Sequence, residues 1–254
     1  MNSPRSLVAV LACRNTGSRL YGKPLQRLDI ASGWTILDQV IANIQSFDFV
    51  DEIVLAISTG TDNLPYIDYA KRANLRYVIG DENDVLSRLL LGLELSQATD
   101  LFRVTTESPF LYWQAVEQAW KLHIDSNYDA TFMDQIIDGC GFEIVTQASL
   151  RKSWSLGDHR HRSELCTLYI RENPNEFSIC RLEVPLYLVR NDLRLTVDYP
   201  EDLIVCRSVY NHIQGTEANP NFDLRDIVSF IDRSPMLSNL VYPFTEKGYK
   251  TMYL

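Results

Sequence analysis

The chain has 254 residues, 46% of them hydrophobic and 22% charged, with a formal net charge of −9, enough for one large α/β domain with a substantial core. The acidic balance and the absence of any extended Lys/Arg block exclude a nucleic-acid backbone as partner, and no window reaches the ~20 apolar residues of a membrane span. Five dispersed cysteines, Cys13, Cys140, Cys166, Cys180 and Cys206, form no C-x-x-C pair; they read as reduced, packed thiols, and the expected location is the cytoplasm.

In chain order, the apolar run Leu7 to Ala12 predicts a strand buried on both faces. It breaks into a polar turn that holds Gly17 and Gly22, with Arg14, Arg19 and Lys23 spread along it. Such a loop suits phosphate, because small residues let backbone N–H groups approach the oxygens while the cations neutralise charge. On spacing alone, a solvated surface loop is an equal reading. Thr35 then caps a helix whose Leu37, Val40, Ile41 and Ile44 share one face. A second buried strand is expected over 51–58, a helix over 66–74 and a third strand from Leu75. Gly80-Asp-Glu-Asn-Asp84 forms a polar turn, with Asp84 as N-cap of a helix over 85–96.

A fourth strand is expected from Asp100 to Thr106, stopped by Glu107-Ser-Pro109, and a helix over 113–125. This alternation predicts a Rossmann-like, mostly parallel sheet with helices on both faces. Ligands of such sheets sit at the carboxyl ends of the strands, so the turns at 13–23, 80–84 and 106–109 should converge on one edge. The second half reads as smaller, irregular α+β. Strands are expected at 128–133, 141–145, 177–184 and 193–198, a loop over 154–162, a helix over 203–213 and another around 224–233. We expect one domain over 1–254, comprising a nucleotide-binding half (1–127), a sugar-binding and dimerisation half (128–214) and a helical tail (215–254).

Several constellations carry chemistry. Three cations across one turn suit a triphosphate, since each phosphate needs its own counter-charge. Glu107 and Asp198 each follow a predicted strand; the pair suits Mg²⁺, which takes one or two carboxylates plus phosphate oxygens, although both also fit ordinary acidic turns before Pro109 and Pro200. The turn with Asp81, Asp84 and Arg88 reads either as a nucleoside contact or as a plain capped turn. His159-Arg-His161-Arg162 lacks a third ligand for zinc and reads as a basic patch for an anionic substrate or as a solvated loop. Walker, G-x-G-x-x-G and G-x-S-x-G motifs are missing, which removes P-loop, dinucleotide and hydrolase readings.

Taken in order, these stretches resemble the sugar cytidylyltransferases, in particular the branch of the spore-coat polysaccharide protein F and acylneuraminate cytidylyltransferases. The likeness runs from Val8 to about Tyr210. It is carried by Arg14…Arg19-Leu-Tyr-Gly22-Lys23-Pro-Leu, Gly80-Asp-Glu-Asn-Asp-Val-Leu-Ser-Arg88, Arg103-Val-Thr-Thr-Glu107-Ser-Pro109, Asp138-Gly139…Glu143, Glu164-Leu-Cys-Thr167-Leu-Tyr-Ile-Arg-Glu-Asn-Pro and Leu195-Thr-Val-Asp198-Tyr-Pro-Glu-Asp. The resemblance implies the nucleotide-diphospho-sugar transferase type of α/β fold. It also implies nucleotidyl transfer from a nucleoside triphosphate to a sugar with release of pyrophosphate, first of all from CTP to an acidic nonulosonic-type sugar. Arg14 and Lys23 would be catalytic. Ala12, Arg14, Gly17, Ser18, Arg19, Lys23, Asp81, Asp84, Arg88 and Thr106 would bind nucleotide, Glu143, His161 and Glu164 the sugar, and Glu107 and Asp198 a Mg²⁺ ion. A homodimer through the second half is the implied assembly.

The chain departs from that pattern at four places. Thr106-Glu107 stands where the family has Gly-Asp, Tyr21 stands for a proline, Leu165 for a histidine, and the loop glycine is displaced to Gly17. These changes keep two alternatives open: a guanylyltransferase acting on a hexosamine phosphate, and a nucleotide-sugar-binding protein without catalysis.

Overall fold

The computed structural model describes residues 5–17, 19–214 and 222–252; Ser18 and the start of the tail lie outside the described residues. Strand β1 (Leu7–Cys13) is buried along nearly its whole length. Its alternate residues feed two cores: Leu7, Ala9, Leu11 and Cys13 face one layer of helices, Val8 and Val10 the other. A strand covered on both faces needs apolar residues at every position, which is why this one lacks polar alternation.

After β1, helix α1 (Ile36–Gln45) starts at a capping box in which the Asp38 N–H donates to Thr35 Oγ1 and the Thr35 N–H donates to Asp38 Oδ2. Strand β2 (Glu52–Ser58), helix α2 (Leu64–Arg72), strand β3 (Arg76–Gly80), helix α3 (Val85–Ser96) and strand β4 (Asp100–Arg103) follow as the alternation predicts. Helix α4 (Val116–Asp125) begins after a 3₁₀ turn over Trp113–Ala115. Strands β5 (Ala130–Phe132), β6 (Glu143–Thr146) and β7 (Ile179–Arg181) extend the same sheet, whose order is β3-β2-β1-β4-β6-β5-β7. Only the two pairings made by β6 are antiparallel.

Helices α1, α2 and α4 pack on one face, together with α7 (Pro200–Gln214), α8 (Leu224–Asp232) and α9 (Pro235–Met252). The other face is covered by α3, α5 (Gln147–Leu156) and α6 (Leu168–Glu172). Helix α3 comes very close to β1: a Cβ on Gly92 would lie 2.5 Å from Val10 Cγ1. The strand order reverses between β1 and β4, so the loops after these two strands flank the crevice where such sheets bind ligands.

The second half departs from expectation. Residues 193–197 alternate apolar and polar side chains and are all buried, yet 193–198 forms no strand; Arg194 makes a single isolated bridge to Asp138. Individual bonds hold the segment instead, from the Leu195 N–H to the Asp138 carbonyl (2.7 Å) and from the Val197 N–H to the Glu107 carbonyl (3.0 Å). The expected strand over 177–184 shrinks to β7. The loop expected over 154–162 begins inside α5 and ends in a 3₁₀ turn at Arg160–Arg162. Helices α5, α6 and α9 were not expected.

Candidate active site

The loop after β1 is folded back on itself: the Gly22 N–H donates to the Asn15 carbonyl at 3.0 Å, and Gly22 adopts a left-handed conformation (φ 59°) before the short turn Lys23–Leu25. This return brings Lys23 under the crevice. From the other side, Thr106 Oγ1 donates to the Ala12 carbonyl at 3.0 Å, tying the β4 loop to the end of β1. The 80–84 turn joins the same edge, where Thr16 Oγ1 donates to Glu82 at 2.9 Å. The three turns therefore share one edge of the sheet.

At the centre, Lys23 Nζ lies 2.7 Å from Asp198 Oδ1 and 3.9 Å from Glu107 Oε1, although Lys23 and Asp198 are 175 positions apart. Arg19 Nη1 reaches Asp198 Oδ2 at 3.0 Å and its guanidinium stacks over Tyr199. Arg14 is paired with Glu164. Each loop cation thus rests on a carboxylate. Burial opposes the Lys23 charge, but Glu107 and Asp198 outweigh it and raise the pKa of the ammonium. Burial likewise opposes the Asp198 charge, and Lys23, Arg194 and Arg19 overcome it, so its pKa is lowered.

Among the described residues no three His, Cys, Asp or Glu side chains gather as a metal cage. Glu107 and Asp198 do converge on a single cationic group, Lys23 Nζ. A pair of carboxylates is the donor set Mg²⁺ uses when phosphate oxygens complete its shell, so the residues present fit that ion.

The remaining sequence candidates divide. Arg88 is 1% exposed and donates from Nη1 to the Cys13 carbonyl at 3.3 Å, beneath the loop. Asp81 accepts the N–H groups of Asn83 and Asp84, and these bonds lower its pKa. Asp84 caps α3 through the Ser87 N–H and also accepts from Trp154 Nε1. A Cβ on Gly17 would meet the Leu20 carbonyl at 2.9 Å. Ser18 is among the residues left undescribed.

Beyond Arg14, the Glu164 carbonyl accepts from Arg103 Nη2 (2.7 Å), whose Nη1 donates to Glu143 Oε2 (2.7 Å). Arg171 and Thr167 complete the cage around Glu143. Burial works against that carboxylate, but Arg103 and Arg171 hold its pKa down at about 2. The His161 ring nitrogens meet the Asp158 N–H (2.9 Å) and Glu172 Oε2 (2.8 Å).

Sequence reasoning did not single out Arg103, Arg171, Arg194, Asp138 or Asp202. Arg103, Arg171, Asp138 and Asp202 lie inside the motifs given above and Arg194 one residue before one of them; no local pattern marked any of them as an ion-pair partner.

A cation-bearing loop at the switch point of a mostly parallel sheet faces two convergent carboxylates, the place where α/β proteins of this kind bind ligands. Residues 8–224 match the cytidylyltransferase family, and the chain belongs to it. It is 24% identical over 237 residues to the spore coat polysaccharide biosynthesis protein SpsF of Bacillus subtilis, covering 90% of this chain and 95% of that one. It is 25% identical over 244 residues to an uncharacterized protein of Methanocaldococcus jannaschii, covering 96% and 98%. A cytidylyltransferase structure from Leptospira borgpetersenii superposes with a TM-score of 0.81 at 19% identity, over 92% of this chain and 97% of that one. A CMP:2-keto-3-deoxy-manno-octonic acid synthetase complexed with CTP gives 0.60 at 16% identity, over 82% and 99%. These two likenesses bear on the fold.

Proposed function

We propose that the chain is a Mg²⁺-dependent sugar cytidylyltransferase that transfers CMP from CTP to an acidic, nonulosonic-type sugar and releases pyrophosphate. Membership of the cytidylyltransferase family supplies the coarser half of this reading, nucleotidyl transfer. The observation that carries the rest is the meeting of Lys23, Glu107 and Asp198 at the crevice, flanked by Arg19. CTP and an acidic sugar are favoured by the similarity to a CMP-sugar-acid synthetase bound to CTP, and a role in polysaccharide building by the similarity to SpsF.

In the reaction, an acceptor hydroxyl oxygen bonds to the α-phosphorus as the bond to the α,β-bridging oxygen breaks. The electron pair leaves with pyrophosphate, and the hydroxyl proton passes to water. Arg14, Arg19 and Lys23 exchange their carboxylate partners for β- and γ-phosphate oxygens and so stabilise the leaving charge. Glu107 and Asp198 would hold Mg²⁺, which when bound neutralises phosphate oxygens. Ala12, Thr106, Arg88 and the Asp81–Asp84 turn border the nucleoside. Glu143 and Glu164 border the acceptor, in the half (128–214) that would also carry a homodimer contact. Positioning and charge stabilisation account for the acceleration, without a covalent intermediate on the protein.

The test is pyrophosphate release with CTP, GTP, UTP or ATP, each against acidic sugars, neutral sugars and hexosamine phosphates, with Mg²⁺ present. Turnover with CTP and an acidic sugar is expected. Turnover confined to GTP and a hexosamine phosphate replaces this reading with the guanylyl one. Tight nucleotide binding with no turnover on any acceptor replaces it with the non-catalytic one, for which Glu107 in place of aspartate is the motivating feature.

A further inference from the structure

Behind Asp198 lies the most heavily paired buried cation of the described chain. Arg194 is 1% exposed, and each guanidinium nitrogen meets a different aspartate. Nη1 donates to Asp138 Oδ2 at 2.8 Å, Nε to Asp202 Oδ1 at 3.1 Å and Nη2 to Asp198 Oδ2. Asp202 acts twice, because its second oxygen accepts the backbone N–H groups of Asp198 (2.8 Å) and Tyr199 (2.9 Å). One acid thus orients both the guanidinium and the peptide that carries Asp198. Asp138 is pressed against the same segment: Gly139 sits at φ 95°, and a Cβ there would lie 2.6 Å from the Thr196 nitrogen.

Holding a loop in place does not call for a buried guanidinium with three carboxylates, since well-packed apolar side chains of similar volume do so at equal or better stability. Arg88, equally buried, manages with one carbonyl. What the Arg194 fork adds is direction: from its buried position it holds Asp198 Oδ2, which the more exposed Arg19 also reaches, while Lys23 takes Oδ1.

We propose that Arg194 is a positioning residue, clamped by Asp138 and Asp202, that aims the Asp198 carboxylate across the crevice at Lys23 and Glu107. Its kinetic consequence rests on the function proposed above; its geometric content does not.

The test uses two variants of the full chain. Arg194→Met combined with Asp138→Leu removes the guanidinium and one of its buried partners together, leaving Asp202 on the backbone N–H groups of Asp198 and Tyr199 and Asp198 on Lys23 and Arg19. Arg194→Lys keeps the charge and loses the fork, and serves if the double variant does not fold. In ligand-free crystal structures of either variant, Asp198 is expected to move beyond hydrogen-bond reach of Lys23. With Tm close to the parent value, kcat is expected to fall about 100-fold, the cost of a misplacement near 1 Å, while KM for the nucleotide changes less than about threefold. A variant that keeps Asp198 on Lys23, or loses activity only in proportion to Tm, overturns the clamp and leaves the cytidylyltransferase reading standing. A displaced Asp198 in a protein whose parent never turned over supports the clamp and removes that reading instead.

Discussion

Replacing Lys23 by alanine separates the catalytic from the structural share of the central cluster. The ammonium sits 2.7 Å from Asp198 and 3.9 Å from Glu107, with its side chain 21% exposed. The pair is largely buried, but Asp198 keeps Arg19 and Arg194 after the change, so that carboxylate is not left unpaired. The folding cost is on the order of 1 kcal/mol, which for a chain of this size is about 2–4 °C in Tm. The transition state loses more. Withdrawing one preorganised group from developing charge in a water-poor site costs about 10²–10³ in kcat, roughly 2.7–4 kcal/mol. The assay is pyrophosphate release beside a thermal melt, with Lys23→Met as the control that keeps the aliphatic length. Both variants should fall at least 100-fold in kcat for a small loss of Tm. A kcat within about threefold of the parent, or a loss that merely follows Tm, would refute the phosphate role.

Other expectations follow from the same coordinates. CTP with Mg²⁺ at 100 times its Kd should stabilise the fold by about 2.7 kcal/mol, roughly 5–10 °C; no shift with any of the four triphosphates would count against a nucleotide site. Glu143, held at about 2 against an ordinary 4.5, binds fewer protons folded than unfolded. Its contribution, roughly 3 kcal/mol, is present above pH 4.5 and lost as pH falls towards 2. The stability gap between the parent and Glu143→Gln, measured by urea unfolding, should therefore narrow over that window; a gap that stays constant from pH 6 to 2 contradicts this. Gly92→Ala gains about 1 kcal/mol of helix propensity but overpacks Val10 by an amount worth about 1–3 kcal/mol, so a net loss of Tm is expected. A rise would show that α3 has room to move off β1.

The first half of the molecule was largely legible in the sequence because its signals are local. In β1 and β2 an apolar residue at nearly every position reports burial on both faces, and in α1 the Thr35/Asp38 box and the Leu37, Val40, Ile41, Ile44 stripe mark the start and the inner side. The cation-rich turn was legible for the same reason: Arg14, Arg19 and Lys23 are close in sequence as well as in space. The segment 193–198 shows where that logic ends. Its alternation of apolar and polar residues is what a strand displays, yet a ladder needs a neighbour of matching length and direction, and among the described residues only the Asp138 bridge is offered. Helices α5 and α6 hid behind mixed polarity, since part of their stabilisation comes from packing beneath the sheet. His161 stood out as a candidate by residue type, whereas its bonds to Asp158 and Glu172 depend on how α6 is placed.

Taken alone, the order of residues determined the alternation of strands and helices, the edge on which the turns gather and the chemical character of the loop after β1. Each of these depends on neighbours a few positions away, whose side chains must point where backbone periodicity sends them. Tertiary structure alone decided which carboxylate answers which cation: Lys23 with Asp198, Arg14 with Glu164, Arg103 with Glu143, Arg194 with three aspartates. Coulomb attraction acts through space and is strengthened by burial, so those pairings exist only after the chain has brought distant segments together.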